Sequence, residues 1–95
     1  MRLAWSKAAL RDLEKLAAYI AEESEQNALL VEMRIHESAR LLSLIPAGGR
    51  PGRVSATREL VVLRTPYILA YRLLPDRVRV LRIVHGARRW PSRVE

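Results

Sequence analysis

The apolar residues of this chain change period at Pro46, and few folds accommodate such a change. Before it they recur at three- and four-residue spacing. Leu10, Leu13, Leu16, Ala17 and Ile20 form one stripe of a helix that runs to about Glu23, with Ser6 placed as its N-cap. Asp12, Glu14, Lys15 and Glu22 fall off that stripe. The polar stretch from Ser24 interrupts the pattern, and Asn27 is placed to cap a second helix. There Leu30, Met33, Arg34, Glu37, Leu41 and Leu44 share one flank, and Val31, Ile35, Ala39, Leu42 and Ile45 the other. So wide an apolar face predicts burial between the first helix and another layer, and Pro46 ends the helix. After Pro46 the period shortens to that of strands. Gly48, Gly49, Pro51 and Gly52 make 47–57 a loop. Three β-rich runs follow, Glu59–Leu63, Tyr67–Tyr71 and Val78–His85, with Thr65-Pro66 and Pro75-Asp76 at the turns. The last run alternates Val78, Val80, Arg82 and Val84 against Arg79, Leu81, Ile83 and His85.

With Arg2–Trp5 as a short opening strand, the order is β-α-α-β-β-β. This predicts an α+β fold, an antiparallel helical hairpin packed on a C-terminal antiparallel meander. The 95 residues suffice for one domain, 1–95. Leu13, Leu16, Ile20, Val31, Ile35, Leu42, Val62 and Leu81 are the expected core, and Trp5 packs at the sheet edge. The meander's other face is left with polar and basic side chains, as a working surface.

Charge divides at the same place as period. Through Pro46, six Lys/Arg stand against seven Asp/Glu, a net −1; from Ala47 onward, eleven arginines stand against three acids, a net +8, and together they make the total +7. The basic half has no lysine, and arginine's planar fork of donors suits phosphates and carboxylates. Its partner is therefore expected to be acidic, a nucleic acid or a protein. A chain with no cysteine can form neither a disulfide nor a thiolate metal site. No apolar run reaches the roughly 18 residues of a membrane span, and the N-terminus lacks the apolar core of a signal peptide. The expected location is the cytoplasm, with no membrane partner.

Much catalytic chemistry is excluded by what is missing. Gly48-Gly49-Arg50-Pro51-Gly52 precedes a strand rather than a helix and fits no nucleotide fingerprint. His36 and His85, the only histidines, give no metal site by spacing, so neither metal nor cofactor is expected. His36, mid-helix among charged residues, is expected to be exposed and inert. The final third brings Arg58, Arg64, Arg72, Arg82, His85, Arg88 and Arg89 onto or just beyond neighbouring strands, with Tyr67 and Tyr71. Two readings stand on these residues alone. One is metal-free phosphodiester cleavage, with a titratable group and cations around the phosphate. The other is docking of an acidic protein, with His85 capping a strand end.

Several segments, taken together and in order, resemble a known superfamily. They are Thr57-Arg58-Glu59-Leu60-Val61-Val62, Thr65-Pro66-Tyr67-Ile68, Tyr71-Arg72 and Val84-His85-Gly86-Ala87-Arg88-Arg89-Trp90-Pro91. Trp5, Ala8-Ala9, Asp12-Leu13 and Tyr19-Ile20 extend the likeness to the start. The chain resembles the RelE/ParE toxins, and ParE more closely. The resemblance implies the toxin of a type II toxin–antitoxin system, one that arrests growth, stabilises plasmids and is neutralised by a cognate antitoxin. That superfamily divides on mechanism. ParE-like members inhibit DNA gyrase, whereas RelE-like members cut mRNA on the ribosome. RNA-cutting relatives usually place a basic residue near the start of the second meander strand and a Tyr or second basic group beside the last strand's His or Arg. Ile68 and Gly86 stand in those places here, so gyrase is the leading expectation and mRNA cleavage the alternative. Under cleavage, His85, Arg58, Arg72 and Arg82 would be catalytic. Target or antitoxin contact falls to Arg64, Tyr67, Arg88, Arg89 and Trp90. A non-toxic binding module is a third possibility.

Overall fold

The computed structural model describes residues 1–88, 90, 91 and 94. β1 (Arg2–Trp5) leads into α1 (Lys7–Ala21) and α2 (Glu25–Leu44), followed by β2 (Arg50–Pro51), β3 (Arg58–Val61), β4 (Tyr67–Leu73) and β5 (Arg77–His85). The strands form one sheet in the order β1-β5-β4-β3-β2, with β1 parallel to β5 and the other pairs antiparallel. The α+β class and the element order match the sequence-based expectation. One short strand, β2, is added within the loop expected over 47–57. No helix among the described residues is long and apolar enough to cross a membrane.

Ser6 joins the two layers. Its Oγ accepts from the Ala9 N–H at 3.0 Å, capping α1, while its hydroxyl donates to the Leu81 carbonyl at 2.7 Å and its backbone N–H to Val80. α2 starts earlier than Asn27. Ser24 is the cap, and its Oγ accepts from the Asn27 N–H at 3.1 Å. Both residue types cap well, but Glu25 and Gln26 carry the helix back one turn, where Ser24 meets the orphan donor first.

Of the expected core, Leu13, Leu16, Ile35, Leu42, Val62 and Leu81 are buried, and Ile20 and Val31 pack half-buried against it. Trp5 packs against the same core from the edge strand, its ring 5.5 Å from that of exposed His36. α2, however, is not enclosed as its wide apolar face predicts. Leu29, Met33, Leu41 and Leu44 are all more than half exposed. A helix resting on a sheet and one neighbouring helix buries only the sector facing them, and this flank faces away.

The alternation read in the last strand also fails part-way. Ala70 pairs with Arg82 and Tyr71 with Val80, so Leu81 is an extra residue with no partner opposite. Val78, Val80 and Ile83 therefore reach the helix-side core, whereas Leu81 joins Ala70 on the opposite face. That outer face is not solely polar, because Trp90 and Val94 fold back onto Ala70 and Leu81.

Candidate functional site

β1 is shorter than its partner, and this shapes the site. Its register with β5 ends at Trp5 opposite Val80, so on that side the rest of β5 has no strand beside it. A side chain from α1 takes the strand's place. Asp12 Oδ2 accepts from the Ile83 N–H at 3.0 Å and from Arg82 Nε at 2.7 Å, and Oδ1 accepts from the Arg82 terminal nitrogen at 2.9 Å. The hydrogen bond from Asp12 holds the Arg82 guanidinium above its ordinary pKa, against the opposing effect of burial.

Beside this pair opens a cleft of about 490 Å³. Asp12, Lys15, Leu16 and Tyr19 of α1 form one wall, Tyr67 and residues 82–85 of the sheet the other, and Arg88 and Pro91 lie beyond the strand end. His85 meets the Tyr67 ring edge-to-face at 5.6 Å. Its Nδ1 accepts the Ala87 N–H at 3.2 Å, which puts the proton of the neutral imidazole on Nε2. The Gly86 N–H donates to the Pro66 carbonyl at 2.7 Å, and a Cβ there would come within 3.2 Å of Ile68 Cδ1. Gly86 is thus explained by close packing over the β4–β5 end. Arg88 places its guanidinium 5.5 Å from the Tyr19 ring centroid. Burial raises the Tyr67 hydroxyl above its ordinary pKa; the Arg88 charge opposes that rise and nearby Tyr19 adds to it. Asp12 is already neutralised by Arg82. Among the described residues, Lys15 and Arg88 are in no ion pair, so the cleft presents net positive charge to an incoming anion.

Of the expected site residues, Tyr67, Arg82, His85 and Arg88 are brought together at this cleft, two from the expected catalytic set and two from the expected contact set, and the others lie elsewhere. Arg58 faces the helices opposite the loop after α2 and donates to the carbonyls of Ala47 and Gly49. The same loop is pinned by Tyr71, whose hydroxyl donates to Pro46 O and accepts from the Gly49 N–H, both at 2.9 Å. A Cβ on Gly49 would fall 2.6 Å from the Glu59 carbonyl, which is why a glycine stands there. Arg64 occupies the β3–β4 turn with φ of 62°, exposed, its carbonyl accepting from Arg34. Arg72 pairs in register with Arg79, six residues along β5 from His85. Trp90 lies on the outer face of the sheet, and Arg89 is outside the described residues.

Sequence reasoning gave no role to Asp12 or Lys15, although with Tyr19 they are spaced i, i+3, i+7 and so share one helical face. It also missed a carboxylate on the outer face. Glu59 pairs in register with Ala70, and its side chain is only 3% exposed. Oε1 accepts two bonds from Arg50, at 3.1 and 3.3 Å; Oε2 accepts the Arg53 N–H at 2.8 Å and Arg53 Nε at 3.3 Å. Burial pushes this carboxyl up, but the Arg53 backbone N–H and the two guanidinium groups outweigh it and hold it below its ordinary value of 4.5. Among the described residues no three His, Cys, Asp or Glu gather as metal ligands.

The family described as the ParE toxin of the type II toxin–antitoxin system parDE matches residues 3–90. The chain belongs to the ParE toxin family. It is the toxin of a type II toxin–antitoxin system, and its partner is an antitoxin. Among similar proteins, the candidate toxin Y4kP of Sinorhizobium fredii is 41% identical over 91 residues, 96% of this chain and 94% of that one. The toxin RelE2 of Caulobacter vibrioides is 33% identical over 87 residues, 92% of this chain and 97% of that one. A chain from the chromosomal ParDE system of P. aeruginosa superposes with a TM-score of 0.79 at 28% identity, covering 90% of this toxin and 95% of that chain. Relatives of the toxin thus carry both ParE and RelE names.

Proposed function

We propose that this ParE-family toxin arrests growth by binding DNA gyrase in the cytoplasm and cuts no nucleic acid itself. The observation that carries the reading is the dispersal of the residues a nuclease would need. Arg58 braces the loop after α2, Arg82 is held by Asp12, and Arg72 sits far along the sheet from His85. Metal-free cleavage requires a base, an acid and cations converging on one phosphate. The cleft and the segment after β5 serve instead as a contact surface, with Lys15 and Arg88 toward an acidic patch of the target. The antitoxin neutralises the toxin by laying apolar residues along the open flank of α2, Met33, Leu41 and Leu44, and carboxylates toward the cleft.

One observation favours the nuclease alternative: His85, Tyr67 and Arg88 do share a cleft. Purified toxin is therefore assayed for inhibition of gyrase supercoiling beside mRNA cleavage on programmed ribosomes. Gyrase poisoning with intact mRNA is expected, as is loss of toxicity when residues 86–95 are deleted. Codon-positioned mRNA cuts that fall at least about 100-fold in rate in His85→Ala would reverse the assignment.

A further inference from the structure

Trp90 and Val94 lie against Ala70 of β4 and Leu81 of β5, on the face of the sheet away from the helices. Two features of this docking oppose one another. The Arg53 guanidinium carbon stands 3.5 Å from the centroid of the Trp90 ring. Arg53 is itself fixed, because its Nε and its backbone N–H both donate to Glu59 Oε2, while Arg50 holds Oε1. A cation held over an indole favours the docked form by roughly two- to thirtyfold. Against this, Trp90 Nε1 is buried with no hydrogen-bond partner. Water would supply one, so the orphan donor disfavours docking by roughly five- to a hundredfold. The two effects are of the same order, and the apolar contacts of Trp90 and Val94 tip the balance toward docking.

We propose that Trp90, with Val94, is a strap that Arg53 and Glu59 position over the outer sheet face, and that Trp90 leaves that face when a partner offers its N–H an acceptor. The strap's role rests on the reading that this segment meets the toxin's target. Docked, it withholds the indole; lifted, it presents it. Arg53 and Glu59 are positioning residues, acting on the target only through Trp90.

The test uses the full chain carrying Trp5→Phe, which leaves Trp90 as the sole indole. Arg53 is half exposed, so Arg53→Ala and Arg53→Lys should fold, and far-UV circular dichroism verifies that they do. In Arg53→Ala, acrylamide quenching of Trp90 should rise at least about threefold, and its indole N–H should exchange about tenfold faster, with Arg53→Lys between the two. Trp90 equally protected in Arg53→Ala and the parent overturns the strap, whatever the toxin's target. Growth arrest, which is read without assuming a target, should set in at a lower dose of Arg53→Ala. A lifted indole with unchanged arrest overturns the presenting role, while supercoiling and mRNA assays of the parent judge the gyrase reading separately.

Discussion

At the scale of residues, the toxin relies on two carboxylates among many arginines, and each carboxylate settles more than one donor. Asp12 serves two nitrogens of Arg82 and one backbone N–H, with both side chains mostly buried. Removing it takes two hydrogen bonds from a mostly buried guanidinium and opens a strand edge, so Asp12→Ala is expected to lose about 2 kcal/mol of stability, less than a fully buried pair would. Asp12→Asn, which keeps an acceptor for the Ile83 N–H, should lose less. Urea denaturation measures both, and a loss under about 0.5 kcal/mol for the alanine variant would make this an ordinary surface pair. Glu59 has the more telling pH dependence. Its folded pKa lies below its ordinary value of 4.5, so the unfolded chain takes up the proton first as pH falls. Its contribution is complete above about 4.5 and is lost as pH drops through the folded value. Glu59→Gln should therefore flatten the acid limb of the stability–pH curve below pH 4.5, and an unchanged limb would assign acid unfolding to other groups.

At the scale of elements, both helices begin on a serine, and the two serines do different amounts of work. Ser24 caps α2 in an exposed position, so Ser24→Ala should lose about 1 kcal/mol. Ser6 caps α1 and also donates to the Leu81 carbonyl in a buried position, so Ser6→Ala should lose about 2 kcal/mol. Thermal melts of the two variants compare them directly; equal shifts would mean that the link to β5 contributes nothing. Ser6 was legible in the sequence because capping is local and depends on residue type and spacing. The helix stripe of Leu13 and Leu16, the stop at Pro46 and the three β-rich runs were legible for the same reason. What could not be read depended on chain length across the sheet. β1 is only four residues long, and only that makes Asp12 a neighbour of Arg82, 70 positions away. The extra Leu81 in β5 was not read as a bulge, since consecutive apolar residues such as Val80-Leu81 also occur in strands covered on both faces. Tyr67, Arg82, His85 and Arg88 line one cleft because they cluster at one strand end and its extension. Arg58 and Arg72 were misplaced because alternation and bulge decide which end and face an arginine serves.

At the scale of the whole molecule, the charge boundary found at Pro46 is also a boundary between layers. The helices and the turn between them carry most of the acids, and β2 to β5 with their loops carry the excess of arginine. A molecule so divided is drawn toward an acidic partner with its sheet end leading. Association with the cognate antitoxin should slow about tenfold between 50 and 500 mM salt while dissociation changes much less, as stopped-flow mixing would read. Equal effects on both rates would place the charges inside the contact instead of along the approach. The division also bears on how the chain behaves when nothing is bound to it. A sheet lengthens by adding a strand of another molecule at a bare edge. Here the edge beyond β1 is occupied by the Ser6 hydroxyl and the Asp12 carboxylate, which leave an invading backbone no row of free groups to copy. At the far edge stands β2, two residues long and ending in Pro51, which has no N–H to offer. A toxin released from its antitoxin thus exposes an apolar helix flank, while these two stretches of sheet edge offer another chain little to pair with.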